Sequence, residues 1–247
     1  MAPQRWLLLR GLSREKRQWG SFPEQLRAAG ALRVERLDLP GVGSARDREA
    51  PWTVDAMVED LELRFLEATA GEPGPWGILG VSLGGMVALA WTHRTPERFS
   101  SAVIVNSSAG DLARPTQRLR LPNVPTLIRA AWASPVQREL LVLGMNTSAH
   151  GGNVALAEEW AAYRQEYPVG NGVIARQMVA GLRFRSPPEL GTSTLFVSGA
   201  CDRFVDPLCT KRLALRYGAP HVEHPTAGHD LPLDDPDWLL RQMGRMS

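Results

Sequence analysis

A serine hydroxyl is a poor nucleophile near neutral pH. It needs a base within hydrogen-bond reach, and the base needs a partner that orients it. One serine of the chain sits in a setting suited to that use. Gly80-Val81-Ser82-Leu83-Gly84 is a G-x-S-x-G pentapeptide, preceded by the apolar Ile78 and Leu79 and followed by an Ala-rich apolar stretch over residues 86–91. Strand, sharp turn and helix in succession hold such a serine in a strained conformation, its hydroxyl above the sheet edge. Gly80, Gly84 and Gly85 leave room for close backbone approach. The amide of Leu83 falls at a helix N-terminus, where unpaired donors and the dipole favour a negative oxygen. The pentapeptide alone is a weak signal, since chance supplies roughly 0.1 copies in a chain of this composition. Taken singly, it also reads as a Gly-rich turn with a capping serine.

The rest of the chain supplies the partners. Of five histidines, His93 lies at the far end of the helix after Ser82, and His150 precedes Gly151-Gly152 in a loop where a solvated ring is expected. His221 and His224 belong to a last, weak strand. His229, in Thr226-Ala227-Gly228-His229-Asp230, follows that strand and can reach back over Ser82. It is the expected base, with His224 its rival. The acid should follow an earlier strand. Asp202, directly after Ser198-Gly199-Ala200-Cys201, is the expected one, and Asp206 before Pro207 the reserve. Asp230, Asp234 and Asp235 read as caps of a terminal helix around Trp238-Leu239-Leu240. A chain order of Ser82, Asp202, His229 fits a fold in which nucleophile, acid and base follow successive strands.

The elements that must position these residues alternate. Short apolar runs at residues 5–9, 32–37, 101–105, 195–197 and 221–224, together with the one before Ser82, read as strands. A helix begins after Thr53, a plausible N-cap, with Val54, Met57, Val58, Leu61, Phe65 and Leu66 on one face, and closes at residues 71–75. Trp19, Phe22 and Leu26 have helical spacing, and residues 38–41 form a strong turn signal. Short apolar strands alternating with helices predict an α/β fold, a mostly parallel sheet of about six strands covered on both faces. Ligands bind beyond the carboxyl ends of such strands, and Leu12, Ser82, Asp202 and His229 all follow one. Residues 111–186 break the alternation. Their helix-compatible segments at 126–133, 136–143, 154–165 and 173–182 predict a helical cap inserted into a core of residues 1–110 and 187–247. The cap carries nine arginines against five acids, a charge of 9 − 5 = +4 within a chain of net +2.

Composition bounds the rest. With 44% hydrophobic and 22% charged residues, the chain reads as an ordinary globular protein. A net charge of +2 points to neither nucleic acid nor membrane. No apolar run approaches the ~18 residues of a membrane span. Residues 6–9 are too few before Arg10 for a secretory signal. Cys201 and Cys209 are the only cysteines. No disulfide framework is implied, a reducing cytoplasmic location is expected, and no His/Cys/Asp cluster has zinc spacing.

With these residues in place the chain resembles the α/β-hydrolase superfamily. Asp38-Leu39-Pro40-Gly41 after the second strand, the turn from Gly80 to Gly85, Pro96-Glu97-Arg98 before the next strand, Asp202 and His229 carry the resemblance over nearly the whole length. It is most similar to the small capped bacterial carboxylesterases, a group that includes the pimeloyl-carrier-protein methyl ester esterases. The resemblance implies an α/β-hydrolase fold and serine-ester hydrolysis through an acyl-enzyme, without cofactor or metal. It also implies that the Leu12 amide joins that of Leu83 in holding the oxyanion. Substrates left open are esters, thioesters, lactones, amides and carbon–carbon bonds, and an acyl carrier protein is a possible partner of the Arg-rich cap. A non-catalytic ligand-binding receptor of the same fold is the alternative of a different class. In the family the first strand ends His-Gly. Here Arg10-Gly11 stands there, and Arg10 has two readings: a structural ion pair, or a substrate-binding residue that selects an acidic group.

Overall fold

In the computed structural model, residues 4–70 and 75–246 are described. All but Pro75 of the turn read at 71–75 lies outside them. Six strands, β1 (Arg5–Leu9), β2 (Arg33–Leu37), β3 (Trp76–Val81), β4 (Phe99–Val105), β5 (Ser193–Gly199) and β6 (His221–His224), form one sheet in the order β2-β1-β3-β4-β5-β6. Every pairing is parallel. Parallel neighbours need crossovers, and helices supply them, so both faces are largely buried and the central strands are mostly apolar. All six residues of β3 are buried.

The two faces follow the pleat. Leu7, Leu9, Ile78, Ala102, Ile104 and Phe196 point to a core shared with α2 (Val54–Ala68), α3 (Leu83–Arg94) and α9 (Leu208–Tyr217). Trp6, Leu8, Leu79, Val81, Val103, Val105 and Val197 point to the other side, against α1 (Phe22–Ala28) and α11 (Pro236–Met243). Each fully buried Leu or Phe contributes about 1.5–3 kcal/mol, so the sheet edge rests on a rigid base. Thr53 caps α2, its Oγ1 accepting from the Ala56 amide. Val54, Met57, Val58, Leu61 and Phe65 face inward as expected, but Leu66 is 44% exposed, one position off the buried stripe.

Between β4 and β5 lie α4 (Pro115–Arg118), α5 (Val124–Trp132), α6 (Pro135–Asn146), α7 (Val154–Glu166) and α8 (Asn171–Arg183). The four longer helices overlap the four segments read from spacing. They are tied to the sheet by polar contacts. Asp234 in α10 (Leu231–Asp234) accepts from the amides of Ser148 and Ala149. The buried Gln177 of α8 accepts from Ser13 N at 2.9 Å. Arg118 donates to the Leu182 carbonyl at 2.8 Å and to that of Gly181. No helix among the described residues is long and apolar enough to cross a membrane.

Candidate active site

Among the described residues, three non-glycine residues have a positive φ: Ser13 at 56°, Ser82 at 58° and Asn106 at 48°. They follow β1, β3 and β4, so backbone strain, about 1–3 kcal/mol each, gathers at the carboxyl edge of the sheet. Ser82 sits between the last residue of β3 and the first of α3, with ψ −118°. Its amide donates to the Val105 carbonyl and its own carbonyl accepts from Ser107 Oγ, both at 2.9 Å. The glycines explain why the turn can be so tight. A Cβ on Gly80 would lie 2.2 Å from the Gly84 carbonyl oxygen, and one on Gly84 would lie 2.3 Å from that of Leu9. Strand, elbow and the exit of β1 are therefore in backbone contact. A Cβ on Gly11 would sit 3.1 Å from Ser82 Cβ, which puts the segment bearing Leu12 directly beside the serine.

His229 follows β6 on a loop held from three sides. Asn106 Nδ2 donates to the carbonyls of Gly228 (3.0 Å) and His229 (2.8 Å), while its Oδ1 accepts from Gly199 N at 2.9 Å. One side chain thus clips the ends of β4 and β5 to the histidine loop. Gly228 N donates to Asp234 Oδ2 at 2.7 Å, and Asp230 N to the Asn146 carbonyl at 2.7 Å. The imidazole is 2.7 Å from Asp202 through Nδ1 and Oδ2, and the Phe204 ring lies 5.0 Å from it. Asp202 is 1% exposed, and its Oδ1 accepts from the amides of Phe204 and Val205. An ionised carboxylate only accepts, so Nδ1 carries the proton and Nε2 remains a base.

Ser82, Leu12 and His229 line one small cavity of about 100 Å³ together with Arg10. It adjoins a larger one of about 410 Å³ lined by Leu12, Ser82 and Leu83 and by side chains of the inserted helices, among them Leu127, Val142, Ile174 and Met178. Ser82 and Leu12 belong to both.

A match to the model of the alpha/beta hydrolase family spans residues 6–242. The chain belongs to the alpha/beta hydrolase family. Among curated relatives of this hydrolase-family chain, the pimeloyl-[acyl-carrier protein] methyl ester esterase of Aeromonas salmonicida is 26% identical over 225 residues, covering 87% of this chain and 84% of that one. The enzyme of the same name from Nitrosomonas europaea is 31% identical over 102 residues, 41% of this chain and 36% of its own. Among solved structures, the enol-lactonase of Burkholderia xenovorans superposes with a TM-score of 0.76 at 20% identity, covering 100% of this chain and 91% of that one. A putative lipase from Acinetobacter baumannii gives 0.76 at 21%, covering 96% and 81%. At that identity the structures speak for the fold alone.

The geometry sorts the remaining sequence candidates of this alpha/beta hydrolase. His224 is committed elsewhere: Nδ1 accepts from the Ala227 amide at 2.8 Å, and Nε2 lies 3.1 Å from Asp235 Oδ2. Asp206 caps α9 through the Leu208 amide. Asp235 caps α11 as expected, but Asp230 and Asp234 do not. Asp230 takes both terminal nitrogens of Arg10, at 2.9 and 2.5 Å, in a buried pair. Arg10 also lies over the Trp19 ring at 5.0 Å. Of the two readings of Arg10 this geometry is the ion pair. Arg10 also lines the small cavity that holds Ser82 and His229. His150 is a further correction: it is half-buried, with Nε2 3.2 Å from the Leu233 carbonyl. Asn106 and the Arg14–Glu139 pair were not foreseen. An asparagine directly after a predicted strand is the only trace Asn106 leaves in sequence.

Proposed function

We propose that the chain is a carboxylic ester hydrolase working through an acyl-enzyme. The observation that carries the reading is Ser82, strained at φ 58°, in a cavity it shares with a His229 already oriented by a buried Asp202. His229 Nε2 takes the Ser82 proton as Oγ attacks the ester carbonyl. The amides of Leu12 and Leu83 hold the oxyanion, and loss of one such donor costs about 3 kcal/mol in the transition state. His229 then protonates the leaving alcohol, and water, activated the same way, releases the acid. Residues 111–186 act as the cap that closes the cavity over Ser82.

The names of the curated relatives favour a second reading, a methyl ester on an acyl carrier protein. The nine cap arginines support it only in part. Arg118, Arg120 and Arg138 donate to main-chain carbonyls, Arg176 pairs with Glu49, and Arg164 lines the cavity. Arg114, Arg129, Arg183 and Arg185 remain exposed and could steer an acidic carrier. Both cysteines are free, which fits a reducing compartment such as the cytoplasm. Turnover of p-nitrophenyl acyl esters, with fluorophosphonate labelling of Ser82, tests the first reading. An unlabelled protein of undiminished ligand affinity would instead mark a receptor. Methanol release from a carrier-linked methyl ester, weakening with salt, tests the second.

A further inference from the structure

The cavity beside Ser82 is mostly apolar, yet four arginines line it: Arg118, held by main-chain carbonyls, and three more grouped around a single carboxylate. Arg14, on the loop after β1, is buried and donates Nη1 to Oε2 of the fully buried Glu139 at 2.6 Å. Its guanidinium lies over the Trp160 ring at 5.1 Å. Arg138 is fixed by the carbonyls of Ala130 (2.8 Å) and Ala131 (3.2 Å), at the end of α5. The Arg164 side chain projects from α7 into the same cavity and, among the described residues, makes no hydrogen bond or ion pair. It lies within electrostatic reach of Glu139, which favours its charge, and of Arg14 and Arg138, which oppose it. Burial dominates and holds its pKa below the ordinary guanidinium value. Glu139 is already matched by Arg14, so the cluster has two cations more than anions. An unmatched cation in an apolar cavity is unfavourable unless an anion joins it, and a planar guanidinium suits a carboxylate.

We propose that Arg164, supported by Arg14 and Arg138, is a binding site for a carboxylate borne by the substrate, so that the ester hydrolysed at Ser82 carries a free carboxylate elsewhere in the molecule. The proposal rests on the esterase reading above and narrows it to a substrate class. Neutral esters lack the partner the cluster calls for. An acyl chain joined to a carrier as a thioester has its far carboxyl neutralised and lacks it too.

Two isosteric pairs of esters test the site: monomethyl adipate against methyl hexanoate, and 6-acetoxyhexanoate against hexyl acetate. The wild type should prefer the anionic member of at least one pair by tenfold or more in kcat/KM. Arg164→Gln should reduce that ratio at least tenfold, mainly through KM. Arg164→Lys, which keeps the charge, should retain part of it, and Arg241→Gln on the exposed side of α11 should leave the ratio as it was. Independently, adipate should raise the Tm of the wild type and not that of Arg164→Gln. Neutral esters turned over as well as anionic ones, with no effect of adipate on Tm, would overturn the carboxylate site and leave the esterase reading intact. Arg164-dependent adipate binding without turnover of any ester would do the reverse.

Discussion

Two serine–histidine–carboxylate clusters lie at the carboxyl half of this sheet, and the proposed function uses only one. Around Ser82 the serine is off the strand in a strained turn, and it shares a cavity with His229. On β5 and β6, Ser198 Oγ is 2.9 Å from His221 Nε2 and 3.2 Å from Glu223 Oε2. By distances alone the second cluster is the more convincing. But Ser198 is 0% exposed, in regular register opposite Glu223, and none of the three lines either cavity around Ser82. A hydroxyl fixed between neighbouring strands satisfies its partners and meets no carbonyl. Access, strain and nearby unpaired amides separate a nucleophile from a hydrogen-bonded serine.

The largest expected effect would break this comparison outright. Ser82→Ala should lower kcat by about 10⁵–10⁶-fold, whereas Ser198→Ala should stay within about threefold in p-nitrophenyl ester assays. Comparable losses in the two variants would reverse the assignment. Asp202→Asn should lower kcat by about 10⁴-fold, since the imidazole would lose its tautomer, with circular dichroism unchanged. A loss below tenfold would remove Asp202 from the triad.

The ionic support beside each cluster comes next. Arg10→Ala leaves Asp230 buried and unpaired, and should destabilise the protein by about 3–5 kcal/mol in urea unfolding. A cost near zero would show that the pair is not what holds the histidine loop. Removing the Ser198 hydroxyl should cost only about 1 kcal/mol. The smallest effect is a pH dependence. Burial holds the His221 pKa below its ordinary value, so the unfolded chain binds the extra proton first. That contribution to stability is complete above pH ~6.5 and is lost as pH falls from there through the folded-state pKa. Urea midpoints at pH 7.5 and 5.5 should therefore differ less in His221→Gln than in wild type. An equal difference would place the pH dependence elsewhere.

Much of this contrast is legible in the sequence. The pentapeptide, its flanking apolar runs and the order Ser82, Asp202, His229 point to one reactive serine, because an elbow needs glycines at fixed offsets and leaves them in the sequence. Six strands follow from short apolar runs, and the four longer inserted helices from helix-compatible spacing. Arg10 shows the limit. Its partner Asp230 is 220 residues away, and no local pattern distinguishes an aspartate that caps a helix from one that pairs across the fold. The same holds for Asn106, whose three contacts lie at the end of β5 and on the histidine loop, both distant in sequence.

Local chemistry is written in spacing, so the sequence by itself determined the turn at Ser82, the strand alternation and the candidate acid and base. What shares a cavity depends on how separate elements pack, and only the tertiary structure decided that. It buried Ser198 while leaving Ser82 in the cavity, matched Arg10 with Asp230, and turned Arg14, Arg138 and Arg164 toward the cavity. An excess of arginine is visible in composition. Whether each arginine meets a carbonyl, a carboxylate or an open cavity is set by contacts between residues far apart in the chain.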